Sequence, residues 1–184
     1  MTIEEGRLAG LKIITPKVLG DHRGSFMEGW HKERYLEAGL PEFVQFNVST
    51  SNQGVLRGLH GQNPSPQGKL VMVFSGAVWD VAVDVRIGSP TYGQWQAVTL
   101  DMVERKQFYI PPGFLHGFVV LSESAMVAYL TTEHYDPSGD FAVKWDDPEL
   151  AVEWPLSSEP NLSQKDLAAP SLANLDRSRL ILCQ

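Results

Sequence analysis

Trp79-Asp80-Val81-Ala82-Val83-Asp84-Val85 decides the fold class of this chain. Successive side chains of a strand point to opposite sides, so the valines share one face and Asp80, Ala82 and Asp84 the other. A barrel wall lining a polar cavity would use such a strand; the blander reading has both acids facing water on a one-sided sheet. Working outward, short valine-rich segments run from Lys69 to Phe74, Ala77 to Val85, Trp95 to Leu100, Gln107 to Ile110, Gly117 to Leu121 and Ala125 to Thr132. Turn signals such as Ser75-Gly76 and Pro111-Pro112-Gly113 separate them, which predicts a mainly β sandwich or barrel. A few short helices are expected outside it. One spans Lys32 to Ala38, closed by Gly39. Another begins after Ser163, where Ser163-Gln164-Lys165-Asp166 has capping-box spacing with Asp in place of Glu.

With 184 residues and 43% apolar content, the chain can bury one sizeable core, so a single domain over residues 1–184 is expected. Residues 156–184 look irregular and polar, suited to wrapping over a preformed barrel. No apolar run approaches the ~18 residues of a membrane span, and the segment from Met1 to Gly10 lacks the order of a secretory signal. The expected setting is the cytoplasm. The lone cysteine, Cys183, excludes an intrachain disulfide and a cysteine-based metal site. A net charge of -7 argues against a nucleic-acid partner, so an anionic ligand must meet local positive charge.

Two spacing patterns narrow the fold. Gly54, His60, Gln62 and Gln67 precede a strand ending at Gly76, and Pro111-Pro112-Gly113-Phe114-Leu115-His116 follows later. These resemble the first and second motifs of cupins, which implies a cupin-type jelly-roll barrel. Metal-binding cupins converge several histidines and a carboxylate on the ion. Here Gln62 and Gln67 stand in for two of those ligands, and neutral amides hold transition metals poorly. No metal is expected. Arg57, His60, Lys69 and His116 cluster in the two motifs, and several buried cations point to a bound anion such as a diphosphate. Either histidine could instead be a hydrogen-bonded core residue.

Read in order, Asp21 to Glu28, Gln45-Phe46-Asn47-Val48-Ser49, Gly54 to His60, Gln67 to Val71, Trp79 to Arg86, Ile110 to Phe118, Tyr135-Asp136-Pro137, Trp145 to Pro148 and Ser163 to Asp166 form a longer pattern. It resembles the dTDP-4-dehydrorhamnose 3,5-epimerase family over nearly the whole chain. The resemblance implies inversion of C3 and C5 of dTDP-4-keto-6-deoxyglucose, giving dTDP-4-keto-rhamnose through an enolate, with no cofactor. His60 is implied as the base, held in the useful tautomer by Asp166, and Lys69 as the group facing the ketone oxygen. Tyr129 is implied to return a proton on the opposite face of the sugar.

The resemblance also implies binding roles. Arg23, Arg57 and Lys165 correspond to positions holding the diphosphate or adjacent sugar. Glu28, Gln45, Asn47 and Asp140 correspond to polar nucleotide and sugar positions, Phe26 to a base-stacking position and His116 to a histidine beside the sugar. The family implies a homodimer in which N-terminal strands carry residues such as Arg23 into the neighbouring site. Gly61 departs from the bulky residue usual after the base, and His134 from the aromatic common before Tyr135. Three alternatives stay open: a single-centre 4-keto-sugar epimerase, a metal-dependent cupin isomerase or dioxygenase, and a non-catalytic sugar-nucleotide binding module. The implied setting is a cell-surface rhamnose pathway or the making of a secondary-metabolite sugar.

Overall fold

The structure is a computed structural model that describes residues 1–183. Its strands are β1 (Thr2–Glu5), β2 (Lys12–Thr15), β3 (Val18–Asp21), β4 (Gly24–Met27), β5 (Gln45–Asn52), β6 (Leu56–Gln62) and β7 (Lys69–Ser75). There follow β8 (Ala77–Asp84), β9 (Trp95–Asp101), β10 (Gln107–Ile110), β11 (Phe114–Val120), β12 (Ser124–Thr131) and β13 (Asp140–Ala142). Two short helices, α1 (Lys32–Glu37) and α2 (Gln164–Leu167), lie outside the sheets. Among the described residues no helix is long and apolar enough to cross a membrane.

Two antiparallel sheets face each other, one ordered β1-β2-β10-β7-β12-β5 and the other β13-β6-β11-β8-β9. The β3–β4 hairpin stands apart from both. This is the jelly-roll barrel expected. Val71, Val73, Phe108 and Val127 from the first sheet meet Val78, Ala82, Leu100 and Phe118 from the second in the central core. The outer face of each sheet is also covered. Tyr35, Leu40 and Phe43 pack on Leu70, Met72 and Leu130 of the first sheet. Leu150, Leu172, Leu175 and Leu180 pack on Val81, Val83 and Val85 of the second. Each leucine so placed contributes about 1.5–3 kcal/mol of burial.

Asp80 and Asp84 are fully buried, which overturns the reading that they face water. Alternation correctly separated them from the valines; the valine face lies outward beneath the C-terminal leucines and the acid face points inward. Asp84 is satisfied by Arg86, Ser89 and Thr91, whereas Asp80 meets the His116 ring.

Several boundaries differ from expectation. β11 begins at Phe114 rather than Gly117, directly after the Pro-Pro-Gly turn, so His116 sits within the strand. Strands β5 and β6 were missed. Helix α1 ends at Glu37, and Gly39, at φ +79°, takes the left-handed conformation that closes it.

Candidate active site

Between the sheets opens a cavity of about 400 Å³ lined by residues of both. The five-stranded sheet contributes Arg57, His60 and Gln62 from β6 and His116 and Phe118 from β11. The six-stranded sheet contributes Gln45, Asn47 and Ser49 from β5, Lys69 from β7 and Tyr129 from β12.

Arg57 and His60 are three residues apart and would face opposite sides of a regular strand. A bulge brings both to the cavity: His60 pairs with His116 and Arg57 with Phe118, so β6 spends one extra residue here. Gly58 permits it. Its φ is +125°, and a Cβ there would lie 2.7 Å from the Gly117 Cα, closer than a side chain can approach.

His60 Nε2 lies 2.5 Å from Asp166 Oδ1. A carboxylate only accepts, so Nε2 carries the hydrogen and the lone pair of a neutral ring is left on Nδ1. Asp166 is itself fixed by Ser163, whose side chain caps α2: the Asp166 N–H donates to Ser163 Oγ at 3.1 Å, and the Ser163 hydroxyl donates to Asp166 Oδ2 at 2.9 Å. Burial alone would raise the Asp166 carboxyl, but hydrogen bonds from His60 and Ser163 outweigh it and hold it below the ordinary range.

Lys69 is buried, and burial pulls its ammonium down from 10.5 to about 8 against the opposing pull of Asp140 and Asp80. His116 Nε2 donates to Asp80 Oδ2 at 2.8 Å. Burial raises the Asp80 carboxyl despite His116 and Lys69. Burial also raises the Tyr129 phenol, keeping it a proton donor. Two buried polar atoms in this region, Ser49 Oγ and Asp80 Oδ1, have no hydrogen-bond partner among the described residues. The buried cations are fewer than expected, since Arg57 is exposed at the mouth, where it donates to Ser51 Oγ at 3.0 Å.

At the rim, Lys165 pairs with Asp140, which also accepts from the Tyr135 hydroxyl at 3.2 Å. Asp140, Lys165 and Tyr135 all line the cavity. Arg23, Phe26 and Glu28 do not reach this cavity within one chain. Arg23 pairs with Asp21 at 2.5 Å, Phe26 is exposed on the hairpin, and Glu28 pairs with Arg34. Sequence reasoning missed Tyr135 and Ser49 as site residues, although both stood in quoted motifs and both line the cavity. At Gly61 the Phe141 ring fills the space of a side chain, 2.5 Å from where a Cβ would be.

Fold and cavity together define a cupin-type barrel enclosing a histidine–carboxylate pair, a buried lysine and a half-buried tyrosine, a set fitted to moving protons. Among the described residues, no three His, Cys, Asp or Glu side chains converge as metal ligands would. The family model described as dTDP-4-dehydrorhamnose 3,5-epimerase matches residues 5–174, and the chain belongs to that family. A relative of that name from Neisseria gonorrhoeae is 46% identical over 184 residues, covering 98% of this chain, which spans 55% of that relative's length. One from Pseudomonas aeruginosa is 48% identical, covering 89% of this chain and 92% of the relative. A solved structure, the dTDP-6-deoxy-D-glucose-3,5-epimerase of Legionella pneumophila in complex with dTDP-4-keto-L-rhamnose, superposes with a TM-score of 0.97. It is 49% identical and covers 100% of this chain and 98% of that one.

Proposed function

We propose that the protein inverts C3 and C5 of dTDP-4-keto-6-deoxyglucose, yielding dTDP-4-keto-rhamnose. The observation that carries this reading is the placement of His60 and Tyr129 on opposing sheets across one cavity. Inversion needs a proton removed from one face of the sugar and returned on the other, so base and acid must flank the ring. The 4-ketone acidifies the hydrogens at C3 and C5, because the carbanion formed is delocalised as an enolate. The chemistry therefore needs neither metal nor cofactor.

In this reading His60 removes the proton, Asp166 holds the ring and balances the imidazolium, and Lys69 faces the developing oxyanion, where its charge stabilises the enolate more than the ketone. Tyr129 returns the proton. His116, held by Asp80, orients the sugar, while Arg57 and Lys165 meet the diphosphate. Gln45, Asn47 and Asp140 serve the nucleotide and sugar.

Arg23, Phe26 and Glu28 act in trans in this account. The protein pairs as a homodimer, and the exposed β3–β4 hairpin carries these residues to the partner's cavity, with Phe26 against the base. Residues 1–184 form one catalytic domain, with 156–184 wrapped over the barrel. A cytoplasmic setting fits a chain whose single cysteine can form no intrachain disulfide.

The test is proton NMR of the reaction in D2O. Deuterium entering at both C3 and C5, and lost in His60→Ala, supports the reading. Label at one carbon would reassign the protein as a single-centre epimerase, and no label as a binding module.

A further inference from the structure

The cavity rim between Glu133 and Asp136 belongs to no strand, yet four of its backbone polar atoms are held by glutamine side chains, the Glu133 carbonyl also accepting from the Thr131 hydroxyl at 2.8 Å. Gln67 Nε2 donates to the Glu133 carbonyl at 2.8 Å. Gln62 Nε2 donates to the His134 carbonyl at 3.0 Å, the Tyr135 N–H donates to Gln45 Oε1 at 2.9 Å, and the Asp136 N–H donates to Gln62 Oε1 at 2.9 Å. Gln62 Nε2 also donates to the Ser65 carbonyl at 2.6 Å. The Gln62 amide is buried, and all three of its contacts are to backbone. Its orientation is fixed by the partners, because a flipped amide would set its oxygen against two carbonyls.

Gln62 stands on the same face of β6 as His60, two residues on, and the segment it holds carries Tyr135 into the cavity wall. We infer that Gln62, assisted by Gln67 and Gln45, is a positioning residue that fixes Tyr135 relative to the base. The cradle explains why amides occupy positions where metal cupins carry ligands: an amide donates and accepts at once, which neither imidazole nor carboxylate does in this geometry. A rim displaced by about an ångström would lose roughly tenfold or more in productive binding.

This inference rests on the epimerase reading, and two experiments separate them. The first is a double-mutant cycle of Gln62→Met and Tyr135→Ala, followed by turnover of dTDP-4-keto-6-deoxyglucose. Gln62→Met alone lowers kcat/KM about tenfold, mainly through KM, and less than about threefold further once Tyr135 is gone, because the two act as one unit. A full, additive loss on the Tyr135→Ala background overturns the inference. The second needs no substrate. Hydrogen exchange of the segment 133–139 in Gln62→Met should quicken at least about tenfold; unchanged exchange overturns the cradle even if the wild type turns over the sugar. A wild type inert toward this substrate removes the functional reading and leaves the exchange experiment to decide the cradle. Should Gln62→Met fail to fold, Gln67→Met, which removes one bond at a half-buried position, should show quickened exchange of the same segment, and unchanged exchange there overturns the inference.

Discussion

Replacing Lys69 with methionine should make the protein more stable and far less active. Burial pulls the Lys69 ammonium from 10.5 to about 8, and at about 1.4 kcal/mol per pH unit this costs the fold roughly 3 kcal/mol at neutral pH. The figure already contains the attraction of Asp80 and Asp140. Methionine fills similar space without charge, so Lys69→Met should recover most of it, about 2–3 kcal/mol, raising Tm by about 4–12 °C for a chain of this size. The sign follows from proton counts. Between pH 8 and 10.5 the unfolded lysine keeps a proton that the folded one has lost, so wild-type stability rises with pH there and the variant's advantage fades. Thermal melts at pH 7 and pH 10 check this. Turnover should fall about a hundredfold to a thousandfold, the usual loss of an oxyanion partner. A variant that melts at or below the wild type at pH 7, with a difference indifferent to pH, would refute the reasoning.

Three further outcomes are expected. Asp166→Asn removes a charge-assisted hydrogen bond of about 1.5–3 kcal/mol from His60 and should lower kcat about tenfold to a hundredfold; unchanged kcat would deny Asp166 any part in the base. Asp84→Ala leaves Arg86, Ser89 and Thr91 without their buried acceptor and should cost about 3–5 kcal/mol in urea melts, with kcat/KM of the folded fraction unchanged because Asp84 does not line the cavity. Sedimentation at micromolar concentration should give twice the 20.4 kDa of the chain, and a monomer mass would remove the trans role of the hairpin.

The jelly roll and the cluster of Arg57, His60, Lys69 and His116 were legible because motif spacing and strand alternation are local, whereas the other pocket residues were named through the resemblance to the epimerase family. What escaped has a physical cause in each case. Strand β5 went unread because it lines a polar cavity: Gln45, Asn47 and Ser49 turn inward while Phe46 and Val48 face outward and exposed, the reverse of an ordinary half-buried strand. Asp80 and Asp84 were separated from the valines correctly, but alternation does not tell which face a second sheet covers. The partnership of Arg57 with His60 needs the bulge at Gly58, whose cause is the close approach of Gly117 from a distant strand. The filling of the Gly61 gap by Phe141 is likewise a contact across 80 positions.

The central claim is that base and acid stand on opposite walls of one cavity, and Tyr129→Phe in D2O tests it most directly. With His60 intact and the acid gone, the account predicts that deuterium still enters at C3 and C5 but returns on the face it left, so exchange continues while the rhamno product falls at least about a hundredfold. Formation of that product at the wild-type rate would contradict the account, because the proton would then come from a group other than Tyr129.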